Sequence, residues 1–250
     1  MDFNRIAADA LLRNSNSVAK DGEGKRMREW LSKLPLVASP RRGVYLSHGA
    51  FVMKHPENCL KDYVTLGQEA EASWQSLREW LGSEPTATDE FVTGPEGWHQ
   101  PRLMIVGHWH CQLVWRRDHP ESGRPAIWQR LIPGFGAPPN KEAGPGMRLP
   151  PVSRAYGLEM KPQPLEIGLS GPLIDEGPER PTIVNPGSVG LPRDGAGIGE
   201  GWSWAKYALI DWTEPGGRLR FRQVPYQVGP ILDTLGDNGY PPEIAKWLTR

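Results

Sequence analysis

Pro101-Arg-Leu-Met-Ile-Val-Gly-His-Trp-His110 is the stretch from which the chain is best read. Leu103 to Val106 are four consecutive apolar residues, the pattern of a short buried strand. Gly107 lets the backbone turn without a Cβ clash. His108 and His110 follow at once. Gly43-Val-Tyr-Leu-Ser-His-Gly49 repeats the arrangement, with a strand over 43–47 running directly into His48. Side chains from several strands converge at the carboxyl ends of α/β sheets, which is where ligands bind. His108 and His110 are expected on the same side of an extended segment. Neutral imidazole suits Zn, Fe, Mn or Ni. A single strand-end histidine is more often a hydrogen-bonded structural residue. Three at two strand ends favour a metal site. His55, His99 and His119 lie in polar loops and read as surface residues.

The rest of the chain frames these strands. Residues 4–34 read as helical, and Pro35 and Pro40 close that region. Residues 60–82 read as a helix with Leu60, Tyr63, Leu66, Ala70, Trp74, Leu77 and Leu81 on one stripe. A strand over 112–116 is expected to pair with 101–106. Residues 133–181 hold 11 Pro and 8 Gly in 49 positions, which opposes regular helix or central strand. That segment reads as an appendage or a functional lid. Thr182-Ile-Val-Asn185 reads as a strand, and its Asn185-Pro-Gly-Ser-Val-Gly190 continuation as a tight turn or an anion-facing loop. Trp204–Asp211 and Arg218–Val224 flank Pro215-Gly-Gly217 as a hairpin. Helices over 227–236 and 241–249 close a single domain, 1–250. The expected class is α/β with layered sheets.

Composition excludes several functions. Lys+Arg and Asp+Glu are both 29, so the net charge is zero and a general nucleic-acid binder is not expected. Eleven Trp and an ordinary charged fraction oppose wholesale disorder. Cys59 and Cys111 are too few for a disulfide framework and imply a reducing compartment. No run approaches the roughly 20 apolar residues of a membrane helix, and the start does not read as a signal peptide. A cytoplasmic protein is expected.

Four segments occur in the order found in calcineurin-like metallophosphoesterases. They are Gly43-Val-Tyr-Leu-Ser-His-Gly49, Ile105-Val-Gly-His-Trp-His110, Ile183-Val-Asn-Pro-Gly-Ser-Val-Gly-Leu-Pro-Arg-Asp194 and Tyr207-Ala-Leu-Ile-Asp211. The chain most resembles the small bacterial members, and Tyr240-Pro-Pro-Glu-Ile-Ala-Lys-Trp-Leu248 resembles their closing helix. The resemblance covers most of the chain outside 133–181. It implies a layered α/β/β/α sandwich and a hydrolase of phosphate esters that uses two divalent ions, Mn, Fe, Zn or Ni. One ion would take His48 and His108, the other His110. Arg193 would meet the phosphate, or else is a surface residue in a turn.

The family's opening motifs, Asp-x-His, Gly-Asp-x-x-Asp and Gly-Asn-His-Asp, do not occur in this sequence. The expectation is a truncated domain lacking its first strand–helix units, on the order of 60–80 residues. The bridging carboxylate, the Asn ligand and the general-acid His would belong to that part. A catalytic ion normally takes about three protein ligands and a water, so this chain alone is expected to be weak or inactive. A separately encoded amino-terminal fragment is one expected partner. The alternatives are a catalytically degenerate interaction module of the same fold and, less favoured, a mononuclear Zn protein using His48, His108 and His110.

Overall fold

The computed structural model describes residue 26 and residues 35–54, 59, 62–82, 92–93, 99–118, 128–132, 165–168, 173, 180–189, 201–213 and 216–237. The expected helices over 4–34 and 241–249 and most of the 133–181 segment lie outside the described residues.

The described part is mixed α/β. Its strands are β1 (Val37–Arg41), β2 (Val44–Ser47), β3 (Val92–Thr93), β4 (Leu103–Val106), β5 (Gln112–Arg117), β6 (Trp128–Ile132), β7 (Leu165–Gly168), β8 (Thr182–Pro186), β9 (Trp202–Asp211) and β10 (Arg218–Gln227). Its helices are α1 (Gly67–Gly82) and α2 (Gly229–Asp237). Seven strands form one sheet in the order β3-β1-β2-β4-β8-β5-β6, and three form a second in the order β7-β10-β9.

The centre of the large sheet is parallel. β2 pairs with β4 in the register Ser47↔Val106, and β4 pairs with β8 in the register Ile105↔Val184. Continuous apolar runs suit such strands because both faces are covered. One expectation needs correction here. β5 does not pair with β4; β8 inserts between them, parallel to β4 and antiparallel to β5. The short 107–111 connection looks like a hairpin in the sequence, yet it spans a gap that a distant strand fills.

Strand alternation sorts the core onto two faces. Tyr45, Met104, Val106, Leu113, Trp115 and Ile183 point to one face, against Ala70, Trp74, Leu77 and Leu81 of α1. Val44, Leu103, Val114 and Val184 point to the other, against Leu219 and Phe221 of the second sheet. The layers are therefore helix, large sheet, small sheet. α2 follows β10 and has no buried residue.

Helix α1 starts at Gly67, not at residue 60. Glu69 sets this start, its carboxylate accepting from the backbone N–H of Thr65 (2.6 Å) and Leu66 (3.0 Å), as an N3 glutamate does at a helix N-terminus. Tyr63 consequently leaves the expected apolar stripe and is 36% exposed. The hairpin of β9 and β10 forms as expected, ten residues on each strand. The Pro-rich segment contributes β7, an edge strand on β10, in keeping with the opposition of proline to central strands only.

On the face of the large sheet that meets the small one, a groove of about 680 Å³ is lined by Pro40, Arg41, Arg42, Val44, Leu46, Ile105, Ile210 and Trp212. Among the described residues, no helix is long and apolar enough to cross a membrane.

Candidate metal site

The parallel pairing of β2 with β4 puts the residues just after both strands side by side. His48 O accepts hydrogen bonds from Gly107 N–H (2.8 Å) and His108 N–H (2.6 Å), so the two loops are tied at their roots. His48 Nε2 then lies 2.8 Å from His108 Nδ1, with ring centroids 4.7 Å apart and planes tilted by 58°. Two of the three histidines expected at the site are thus brought together from stretches 60 residues apart.

The loop behind His48 is held at every amide. Gly49 N–H donates to Cys59 O, Ala50 N–H to Asp62 O, Phe51 N–H to Ser73 Oγ, Val52 N–H to Cys59 Sγ and Met53 N–H to Ser76 Oγ. Two hydroxyls of α1 therefore do for this irregular segment what a neighbouring strand does for a regular one. Gly49 is required here by proximity. A Cβ on it would collide with the Asp62 carbonyl oxygen and lie 2.8 Å from that of Cys59.

His110 takes a different position from the one expected. Residues 107–110 do not continue the strand but turn, with His110 N–H donating to Gly107 O at 3.2 Å. His110 has φ 63°, the left-handed region, which is uncommon for a residue with a Cβ. Its ring lies 6.5 Å from that of His108, nearly perpendicular to it. The idea of an extended segment is therefore corrected: residues 107–110 turn, and the His108 and His110 rings stand nearly perpendicular to each other. Among the described residues, no group of three or more His, Cys, Asp and Glu side chains is arranged to hold one ion. Arg193 lies outside the described residues.

Tyr63 is the residue that the sequence reading placed wrongly. Its ring stacks on His108 at 4.4 Å and 17°, and meets Trp109 edge-on at 5.5 Å. Glu69, whose carboxylate caps the amide of Leu66 three residues earlier, is the residue that could have freed Tyr63 from the helix. A third strand end stands nearby in the sheet. Asn185, at the end of β8, is fully buried and accepts from Gly187 N–H at 3.0 Å, while its Nδ2 has no hydrogen-bond partner among the described residues.

The pair can be compared with the spacing that two ligands of one ion require. Imidazole nitrogens bind Zn at about 2.0–2.1 Å, which puts two ligands of one ion roughly 3.0–3.4 Å apart. The observed 2.8 Å is shorter, the length of a hydrogen bond between the two imidazoles, so an ion shared by the pair would take the place of that bond. Burial pushes the His48 imidazole below its ordinary pKa of 6.5, which favours the neutral, ligating form. Neither cysteine belongs to a metal-holding group among the described residues. Cys59 and Cys111 are buried, and burial raises the Cys59 pKa, which keeps its thiol protonated.

No protein-family model, no curated protein and no solved structure matches the chain.

Proposed function

We propose that the chain is a metal-dependent phosphoesterase of the calcineurin-like type, built as a layered α/β/β/α sandwich, cytoplasmic, and weak in turnover by itself. The observation that carries the reading is the meeting of His48 Nε2 and His108 Nδ1 at the carboxyl ends of neighbouring parallel strands. In this reading His48 and His108 share one divalent ion (Mn, Fe, Zn or Ni), His110 serves a second, and Arg193 meets the phosphate. Bound divalent ions would lower the pKa of water and polarise a P–O bond.

The residues of the chain itself do the holding. The amide ladder over 49–53 fixes His48, and Tyr63 fixes the plane of His108 by stacking. Partial burial of the His48 imidazole lowers its pKa, which favours the neutral form. Three imidazoles remain fewer than two catalytic ions take, at about three protein ligands each, which is why slow turnover is expected. A second reading, a catalytically degenerate interaction module, draws on the groove beside β9.

Hydrolysis of an aryl phosphate by the purified full chain, with and without added Mn²⁺, tests the first reading. Slow hydrolysis that requires the ion and disappears in His108→Ala supports it. Turnover that does not depend on the ion, or none at any ion concentration, removes the enzymatic part and leaves the module.

A further inference from the structure

We infer that the Ala208–Ile210 stretch of the outer edge of β9, with the groove beside it, is a docking site for an extended acidic–apolar strand of another protein. This goes beyond the phosphoesterase reading and does not depend on it.

Backbone register shows which groups are on offer. Val228 N–H donates to Gly201 O, so odd-numbered residues of β9 exchange hydrogen bonds with β10. Lys206 N–H instead donates to Ser188 O, on the side away from β10. The N–H and C=O of Ala208 and Ile210 share that outward direction, because backbone groups in a strand alternate. Among the described residues, no strand pairs with this edge. A strand edge of this kind is a template for one more strand.

The groove gives an added strand something to bury. Ala208 and Ile210 direct their side chains toward the large sheet, where they pack with the core shared by the two sheets. A strand placed next to β9 would lie over Leu46 and Ile105, and its alternate residues would fill the groove between them and Trp212. Apolar residues are therefore expected at every second position of the occupant.

Charge selects the rest. Arg41 and Arg42 are exposed at the groove, and Arg41 stacks on Trp212 at 4.7 Å. Neither forms an ion pair with a carboxylate among the described residues. An occupant with Asp or Glu opposite them complements this end. A second copy of β9 does not. Its only carboxylate is Asp211, which hydrogen-bonds to Thr213 and sits in the field of Arg218 and Arg220. A different polypeptide is the better match.

The test is selection of displayed random dodecapeptides on the full-length chain, followed by affinity measurements on the enriched peptides. The expected peptides alternate apolar residues and carry Asp or Glu toward one end. Their binding is lost in Ala208→Pro, which removes an outward N–H but no bond to β10. It falls about tenfold in the double variant Arg41→Glu, Arg42→Glu, and falls with added salt. If Ala208→Pro does not fold, the charge-reversed variant decides alone. Absence of enriched peptides, or binding indifferent to both variants, overturns the inference. A dimer of the wild-type chain that Ala208→Pro dissolves would show a second copy to be the occupant, and would overturn it too.

Discussion

His48 and His108 face each other across 2.8 Å because Ser47 and Val106 are register partners in parallel strands. Neither histidine is placed by its own contacts alone. The backbone hydrogen bonds from Gly107 and His108 to His48 O lock the loop roots, and the imidazoles follow.

Gly49→Ala should break this arrangement. The new Cβ would press on the carbonyls of Cys59 and Asp62, which are backbone and cannot swing aside. Cys59 and Asp62 must move, and Tyr63 with them. Overpacking of this kind costs about 1–3 kcal/mol. The expected result is a lowered urea midpoint together with a changed His108 ring resonance in NMR. A variant with unchanged His108 signals would show that Cys59 and Asp62 do not support the site.

Glu71 should make the fold sensitive to acid. Burial pushes its carboxyl up, but hydrogen bonds from Gln75, Arg117 and Trp128, with the charge of Arg117, outweigh burial and hold it below its ordinary 4.5. Trp128 Nε1–H donates at 2.6 Å and Arg117 Nε–H at 3.0 Å, tying α1 to β5 and β6. A depressed folded-state pKa means stability present above the unfolded value and lost as pH falls through the folded one. The stability gap between the wild type and Glu71→Gln, from urea unfolding, should be full at pH 7 and shrink below pH 4.5 toward pH 3. A gap constant across that range would contradict the assignment.

His110→Gly should stabilise the chain while impairing the site. A left-handed residue with a Cβ costs on the order of 1 kcal/mol that glycine avoids. The thermal midpoint is expected to rise by about 2–4 °C, the scale of 1 kcal/mol for a chain of this size. An unchanged or lower midpoint would mean that the His110 side chain contributes more to the fold than its backbone costs.

The sequence was most legible where pattern and structure are both local. β2, β4 and β8 are apolar runs ending in histidine or Asn-Pro-Gly, and the β9–β10 hairpin is marked by Pro215-Gly-Gly217. Three things hid the remainder. Proline concealed β1, whose Pro40 sits where its register with β2 shifts, a place that tolerates a missing N–H. Helical spacing concealed Tyr63, because a residue four before Gly67 continues the stripe whether or not the helix does. Sheet order concealed the β4–β8–β5 sequence, since adjacency to a strand about 70 residues away leaves no local trace. At the site, the convergence of His48 with His108 was readable from the strand ends. The turn at His110 was not, because it arises from a single backbone angle.

The most direct measurement is a calorimetric titration of the metal-stripped full chain with Co²⁺, compared among wild type, His48→Ala, His108→Ala and the double variant. Shared ligation predicts that either single change weakens the tighter site at least about tenfold, since even an outer-shell partner is worth 10–100-fold. It also predicts that the double change adds little to either one, as coupled residues do. Binding that survives both single changes at full strength would contradict it.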